Sequence, residues 1–384
     1  MQQLDLPARF AAALEAVPAD LRACPIGLAV SGGSDSVALL TLAHQWAAKS
    51  GASLIVLTVD HRLRLASAAE AETVAALCKQ LGLPHQILHW QSPEPRQSAA
   101  RRARHAFLAG ALKSAGGQLL LTGHTADDQA ETFLMRARQG SGWYGLACMR
   151  GLSLSPVWPE GAGVWIARPL LGERRTRLRD WLTGQGTGWA DDPSNENPAF
   201  ERVRVRARLS GPDDRLTGRL LSCQQRFALL RAIEDAALAN WLARSVTLTP
   251  DGAALARLDP LPPERAARAL GTLIQCLSGR ETPPRAENLA GLIARISGVP
   301  DFRGATLGGV RVSPKQLGLK LSPERARNLI APDCAALGSR IGAFRRLFLN
   351  SAQEIAAGSG KESFLQDVPP IFCPDTVSFV RDLP

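Results

Sequence analysis

Paired cysteines are missing from this chain. Its seven cysteines, Cys24, Cys78, Cys148, Cys223, Cys276, Cys334 and Cys373, are scattered, odd in number and never form CxxC. A disulfide framework, a zinc ribbon and iron–sulfur ligation are therefore not expected. Histidine stops early: the six are His44, His61, His85, His89, His105 and His124, and none follows in the remaining 260 residues. Any histidine chemistry belongs to the first third. Neither GxxxxGK followed by Ser or Thr nor GxGxxG occurs at the strand-to-helix turn Ser31–Ser36, which excludes the two commonest nucleotide loops there. The start, Met1 to Ala19, mixes charges with short apolar runs and has no long apolar core. Neither a signal peptide nor a membrane span is expected, and the cytoplasm is the expected compartment. No internal repeat is evident.

What is present is an ordinary globular composition with a basic excess. At 384 residues and 41.0 kDa, with 45% hydrophobic residues, the chain is long enough for two or three domains. A net charge of +10 and a pI near 9.8 suit a polyanionic partner, of which nucleic acid is the commonest large one. A compositional bias toward Arg and Ala would produce the same charge.

The most informative stretch is Ser31-Gly32-Gly33-Ser34-Asp35-Ser36, between the apolar run Ile26–Val30 and the apolar-periodic run Val37–Trp46. A Gly- and hydroxyl-rich hexamer is often a plain turn. Here it joins a short strand directly to a helix, so it offers backbone N–H groups and a positive helix end to an anion. Downstream, Ser53–Val59 reads as a strand ending at Asp60-His61, Ala68–Leu81 as a helix, and Pro84–Trp90 as a strand. Ser98–Ser114 reads as a helix, Gln118–Thr122 as a strand ending at Gly123-His124, and Asp127–Arg138 as a helix. Four successive βα units predict a doubly wound, mostly parallel sheet. Ligands bind such sheets outside the carboxyl ends of the strands, where these motifs should converge.

Beyond that, Ser153–Val164 reads as a loop, Trp165–Leu171 as apolar, and Glu173–Thr183 as a helix before the polar segment Asp191–Pro198. Leu216–Ala243 is long and helical, the helical spacing resumes after Pro260–Pro263 and continues through Arg295, and the Gly/Val clusters past residue 300 suggest short strands. Boundaries near 215 and 300 divide the chain into 1–215, 216–300 and 301–384: an α/β catalytic domain, a helical domain and a small mixed α+β domain.

Three clusters narrow the chemistry. Asp128 and Glu131 lie three apart on one helical face beside His124. Helix capping by Thr125 or Asp127 accounts for part of that acidity. Arg101 and Arg104 share a turn. Arg202, Arg204, Arg206 and Arg208 alternate, sharing one face if extended and spreading round the axis if helical. Either arrangement is a positive field suited to a phosphate backbone, with a solvated basic face as the alternative.

The hexamer resembles the PP-loop of the N-type ATP pyrophosphatases at every fixed position of SGGxDS. With Val59-Asp60-His61, Leu63-Arg64, Arg101 and Arg104, His124, Asp128-Gln129, Glu131-Thr132, Gly140-Ser141-Gly142, Arg168-Pro169-Leu170, Asp191–Asn195 and Ala305–Gly309, the chain is similar to the tRNA(Ile)-lysidine synthetases. It departs from their pattern at Arg62, His105, Thr125 and Val203.

That resemblance implies an adenine-nucleotide alpha hydrolase-like fold. It also implies a reaction in which ATP adenylates the C2 carbonyl oxygen of the wobble cytidine of a CAU-anticodon isoleucine tRNA and the amine of free L-lysine then displaces AMP at C2. By the same resemblance Ser31, Gly32, Gly33, Ser34, Asp35 and Ser36, with Asp60 and His61, would hold ATP, and Asp35 would sit near Mg²⁺. Asp128 and Glu131 would bind lysine, His124 would support the intermediate, Arg101 would contact phosphate or base, and Arg202, Arg204, Arg206 and Arg208 would meet tRNA. The later domains would grip the tRNA body, and a homodimer is the expected assembly. The rival readings are a tRNA thiolase of the same loop class, which needs reactive cysteines, and a non-catalytic tRNA-binding protein.

Overall fold

The computed structural model describes residues 5–60, 66–90, 96–190, 199–209, 214–249, 254–258, 261–298, 302–316, 318–324 and 340–348. His61, Arg62, Leu63-Arg64 and Asp191–Asn195, singled out above, lie outside the described residues. Two compact units are present. Residues through Ser153 and Val164–Arg231 belong to the first, while Leu154–Gly163 and the described residues from Ala232 to Phe348 belong to the second.

The first unit opens with α1 (Leu6–Glu15) and α2 (Ala19–Arg22), followed by β1 (Ile26–Ala29), α3 (Ser34–Ser50), β2 (Leu54–Asp60) and α4 (Ala66–Leu81). Then come β3 (His85–His89), α5 (Gln97–Ser114), β4 (Leu119–Thr122), α6 (Ala126–Arg138) and α7 (Trp143–Leu146). The series ends with β5 (Leu152–Leu154), β6 (Trp165–Ala167), α8 (Arg175–Gly184), α9 (Glu201–Leu209) and the part of α10 (Asp214–Ser245) up to Arg231, the rest of α10 belonging to the second unit. The strand order is β3-β2-β1-β4-β6-β5, and β3, β2, β1, β4 and β6 are paired in parallel. This is the doubly wound sheet expected from the βα alternation. The short strand β5 falls at the start of a stretch whose composition reads as loop, because three residues carry too little periodicity to register.

Going from β1 to β2 to β3, the chain moves toward one edge; it then crosses back beyond β1 to β4. Right-handed crossovers therefore put α5 on the face opposite α3 and α4, and the winding reverses between β1 and β4. On the α5 face, Leu108 and Leu112 pack with Leu57, Leu120 and Ile166 in a fully buried cluster. Gly27 lies close beneath them, and a Cβ there would sit 3.1 Å from Leu112 and Leu120 Cδ1, so any larger residue would press both side chains aside. A second cluster joins Phe133 and Leu134 of α6 to Val205 of α9 and Leu220 of α10, with the Phe133 and Phe227 rings stacked at 6.3 Å. That packing turns one face of α9 toward α6.

The second unit holds β7 (Val246–Leu248), β8 (Ala254–Ala256), α11 (Pro263–Ser278), α12 (Ala286–Gly298), β9 (Ala305–Leu307), β10 (Val310–Lys315) and β11 (Gly318–Pro323). Its antiparallel sheet runs β7-β8-β11-β10-β9. The Gly308-Gly309 turn between β9 and β10 takes φ of +64° and +84°, the two left-handed residues that a tight two-residue hairpin needs. α11 buries Ala266, Ala269, Leu270, Leu273, Ile274 and Leu277, and Val310, Val312 and Leu321 of the sheet are fully buried too. Among the described residues no helix is long and apolar enough to cross a membrane.

Candidate active site

The parallel register fixes which residues meet at the carboxyl edge. Ala29 pairs with Leu57 on one side and Thr122 on the other, and Leu121 pairs with Ala167. Ser31–Ser36, Asp60, Gly123-His124 and Arg168 therefore all leave their strands on the same edge. The hexamer and His124 flank the β1/β4 reversal.

The loop is built to face outward. Gly32 has φ +92°, a left-handed conformation that favours glycine. A Cβ on Gly33 would meet nothing within 4 Å, so the backbone there borders open space. Ser36 closes the turn from inside: its Oγ donates to the Gly33 carbonyl at 2.9 Å and accepts from the Ser31 N–H at 3.2 Å. The N–H groups of Ser34 and Asp35 open α3 and have no partner inside the helix. A rimmed turn with outward N–H groups at a helix start fits the diphosphate end of a nucleotide. Gly123 shows how tightly β4 presses on this turn, since a Cβ there would lie 2.8 Å from the Asp35 carbonyl oxygen.

Next to the loop lies a compact array of acids and arginines. Arg175 Nε donates to Asp35 Oδ2 at 2.9 Å, and its Nη2 and Nη1 lie 3.6 and 3.7 Å from Asp128 Oδ1 and Glu131 Oε1. Arg202 grips both helical acids, Asp128 Oδ1 at 2.6 Å and Glu131 Oε2 at 2.6 Å, and Arg206 Nε donates to Glu131 Oε1 at 2.8 Å. The sequence-predicted Asp35, Asp128 and Glu131 are thus brought together. α9 is helical, so its four arginines spread round the axis: Arg202 and Arg206 face the acids, while Arg204 and Arg208 are exposed. Asp128 also caps α6, its Oδ2 accepting from the Thr125 N–H at 2.8 Å and hydroxyl at 2.9 Å. Asp127 turns the other way and accepts the Arg175 N–H at 2.7 Å at the start of α8.

Burial raises the Asp35 carboxyl above its ordinary value; Arg175 opposes this and Asp128 adds to it. Asp128 goes the other way: burial pushes it up, but Arg202, the Thr125 N–H, Arg175 and His124 together hold it below the usual range. Burial disfavours the charge on Arg175, yet Asp35, Asp128 and Glu131 keep it more firmly protonated than a free guanidinium. His124 is pushed down to about 3, first by burial and then by Arg168, Arg202 and Arg101, against the pull of Asp128. It is a neutral imidazole at pH 7. Its Nδ1 lies 2.9 Å from Thr122 Oγ1, a hydroxyl able to donate or accept. Asp60 is buried, with Oδ2 at 3.4 Å from His89 Nδ1.

Arg175 escapes sequence reasoning, although a signal exists. Arg174, Arg175, Arg177 and Arg179 crowd the first turns of α8, where the helix dipole disfavours cations. Such a violation requires compensating anions, and Asp35, Asp127, Asp128 and Glu131 supply them. Arg179 also reaches the loop, donating to Ser34 Oγ at 3.2 Å. Gln129 is structural, exchanging two hydrogen bonds of 3.0 and 2.9 Å with the Met149 backbone.

Cys148, the cysteine nearest these motifs, is buried under α6 and α10, and burial pushes its thiol up to about 11. A buried, protonated thiol is a poor nucleophile and does not suit sulfur transfer.

A PP-loop domain is matched over residues 6–211. The chain is 56% identical over 365 residues to the tRNA(Ile)-lysidine synthase of Hyphomonas neptunium, covering 95% of this chain and 98% of that one. It is 40% identical over 328 residues to the protein of the same name from Mesorhizobium japonicum, covering 83% and 71%. Among solved structures it is similar to the U34-tRNA thiolase NcsA from Methanococcus maripaludis, with TM-score 0.47, 15% identity, and 57% of this chain and 77% of that chain covered. A loop of PP type at a parallel switch point, a matched PP-loop domain and near full-length identity lead to one assignment: the chain belongs to the tRNA(Ile)-lysidine synthase family.

Proposed function

We propose that the chain joins lysine to C2 of the wobble cytidine of a CAU-anticodon isoleucine tRNA, consuming ATP and releasing AMP and pyrophosphate. The observation that carries this reading is the meeting, at the β1/β4 switch point, of the Ser31–Ser36 loop that follows β1 with Asp128 and Glu131 of the helix that follows β4, Arg175 bonding Asp35 and lying close to both helical acids. Two activated partners, a phosphoryl donor and an amine, need adjacent sites of opposite polarity. The loop supplies N–H donors and the array supplies carboxylates.

A pyrimidine C2 carbonyl is a poor electrophile until its oxygen carries a phosphoryl leaving group, so adenylation precedes amine attack. Expelling pyrophosphate concentrates negative charge, which the loop N–H groups, Arg179 and Arg175 are placed to offset. Asp35 would hold Mg²⁺ with its carboxylate, of which Arg175 engages one oxygen and the Ser34 hydroxyl the other. The residues fit, because Mg²⁺ uses one or two carboxylates and completes its shell with phosphate oxygens and water. The ion would neutralise charge developing on the departing diphosphate.

Free lysine has an amine pKa of about 10.4 and arrives protonated. Asp128 and Glu131 recognise that ammonium by exchanging it for a guanidinium of Arg202 or Arg206, so binding replaces an ion pair instead of creating one. Neutral His124, braced at Nδ1 by Thr122, has Nε2 available to the cytidine or its adenylate, and it or an acid beside it takes the proton that the lysine ammonium must lose before its amine attacks C2 and AMP leaves.

Incubation with purified CAU-anticodon tRNA, ATP and radiolabelled lysine tests the whole reading. Lysine should enter the tRNA with stoichiometric AMP release, and Asp35→Ala should abolish AMP formation. Full lysine transfer by that variant would overthrow the loop assignment, and labelled sulfur entering tRNA would favour the thiolase reading. Tight tRNA binding without ATP turnover by the unsubstituted chain would favour the non-catalytic one.

A further inference from the structure

Among the described residues, one group of basic side chains near His124 has no carboxylate partner. Arg101, Arg104 and His105 sit on the first half of α5, which begins at the carboxyl edge because β3 delivers the chain there. Arg168 follows β6, one step beyond the Leu121–Ala167 pairing. Its Nη1 is tied to the Arg150 carbonyl and Ser153 Oγ, both at 2.9 Å, while its Nε is buried without a partner. His105 Nδ1 is buried without a partner as well.

The charges acting on these groups all have the same sign. Arg104 feels Arg101 and Arg202; Arg101 feels Arg202 and Arg136; His105 feels Arg101, Arg104 and Arg168. By contrast, Arg175 and Arg202 are surrounded by carboxylates. The orphaned buried atoms of Arg168 and His105 are costly in a folded protein and persist where an anion completes them, and the exposed Arg101 and Arg104 beside them add positive charge on the side open to such an anion. Guanidinium groups match a phosphate in both charge and geometry.

We propose that Arg101, Arg104, Arg168 and His105 form a phosphodiester subsite that holds the RNA backbone next to the nucleotide presented to His124. This rests on the reading of the reaction above, since a base brought to His124 carries its own phosphodiester with it. The nucleoside triphosphate already has the loop, Arg175 and Arg179 on the other side of the acids. Arg104 and His105 are then positioning residues that set the register of the anticodon strand.

The test measures binding of a synthetic CAU anticodon stem–loop RNA and, separately, of ATP to the full chain over a range of salt. Arg104→Gln, a change at an exposed helical position, should weaken RNA binding about tenfold near 0.1 M salt. It should also make the slope of log K against log salt less negative by roughly 0.7–0.9, the loss of one phosphate contact. ATP affinity should stay within about twofold. His105→Leu should weaken the RNA similarly with little change in salt slope, because it removes a donor and not a fixed charge. In the unsubstituted chain, bound RNA should raise the titration midpoint of His105, observed by NMR, from about 4.

Unchanged RNA affinity and slope in Arg104→Gln, with normal lysine transfer, would overturn the subsite and leave the reaction intact. Weakened ATP binding with unchanged RNA binding would assign the cluster to the triphosphate and equally overturn the proposal. Absence of lysine transfer by the unsubstituted chain would instead refute the reaction and leave the RNA measurements standing.

Discussion

Replacing Arg175 by Gln isolates the contact that keeps Asp35 ionised. Burial raises the Asp35 carboxyl, and Arg175, at 2.9 Å, is the principal opposing influence through both its charge and its hydrogen bond. Both side chains are about one-fifth exposed, so water screens the pair only partly. A guanidinium in such contact lowers a carboxyl by about 1–3 units, consistent with roughly 4 kcal/mol for unit charges 4 Å apart at an effective dielectric constant near 20, discounted for screening. Without Arg175 the Asp35 pKa rises by about that amount from an already raised value. The carboxylate is the form needed for cation binding, so activity should fall on the acid side. The acidic limb of the pH–rate profile should move toward neutrality by about 1–3 units, so the activity deficit should be larger at pH 5.5 than at pH 9. Pyrophosphate release from ATP in the presence of tRNA, followed from pH 5.5 to 9.5, is the assay. A rate that drops uniformly while the limb stays at its original pH would refute the reasoning and show that Arg175 acts on substrate alone.

Asp128→Ala removes a cap and leaves Arg202 facing one acid fewer, so stability should fall by about 3 kcal/mol. That is roughly 6–12 °C in Tm by calorimetry at pH 7, whereas alanine at the exposed Glu72 should change Tm by less than about 2 °C. Asp128 is held low in the folded chain, so its contribution is present above the unfolded carboxylate pKa near 3.9 and is lost as pH falls through the lower folded value; the Asp128→Ala deficit should shrink below pH 4. Gly123→Ala places a methyl 2.8 Å from the Asp35 carbonyl. It should cost about 1–3 kcal/mol in urea unfolding and weaken ATP binding measurably, because the loop must give way. Arg204→Ala and Arg208→Ala should each reduce the salt slope of tRNA binding by roughly 0.7–0.9 with unchanged Tm, whereas Arg206→Ala, which takes away one of the arginine partners of buried Glu131, should lower Tm.

Much of the first unit could be read from the chain. Ile26–Val30, Ser53–Val59 and Gln118–Thr122 are apolar runs ending at polar turns, and a buried parallel strand requires that pattern because both its faces are covered. The helices Ala66–Leu81 and Gln97–Ser114 fall within two residues of their periodic spans. The hexamer was legible because a left-handed glycine, an inward serine and an unpaired helix start are all local properties. The strands β7 and β8 were hidden, since three-residue strands are specified by their neighbours in the sheet and not by their own periodicity.

The sequence by itself determined the parallel sheet, the loop and the presence of acids beside His124, because each depends on residues close along the chain. Tertiary structure alone decided that Arg175 bonds Asp35 across 140 positions, that Arg202 and Arg206 turn inward while Arg204 and Arg208 face solvent, and that Arg168 stands beside His124. Charge pairing over such separations follows from the crossover that puts α8 against α3 and from the hydrophobic seam holding α9 to α6. No local pattern encodes which guanidinium meets which carboxylate, because every arginine on a helix has the same intrinsic preference until packing selects its neighbour.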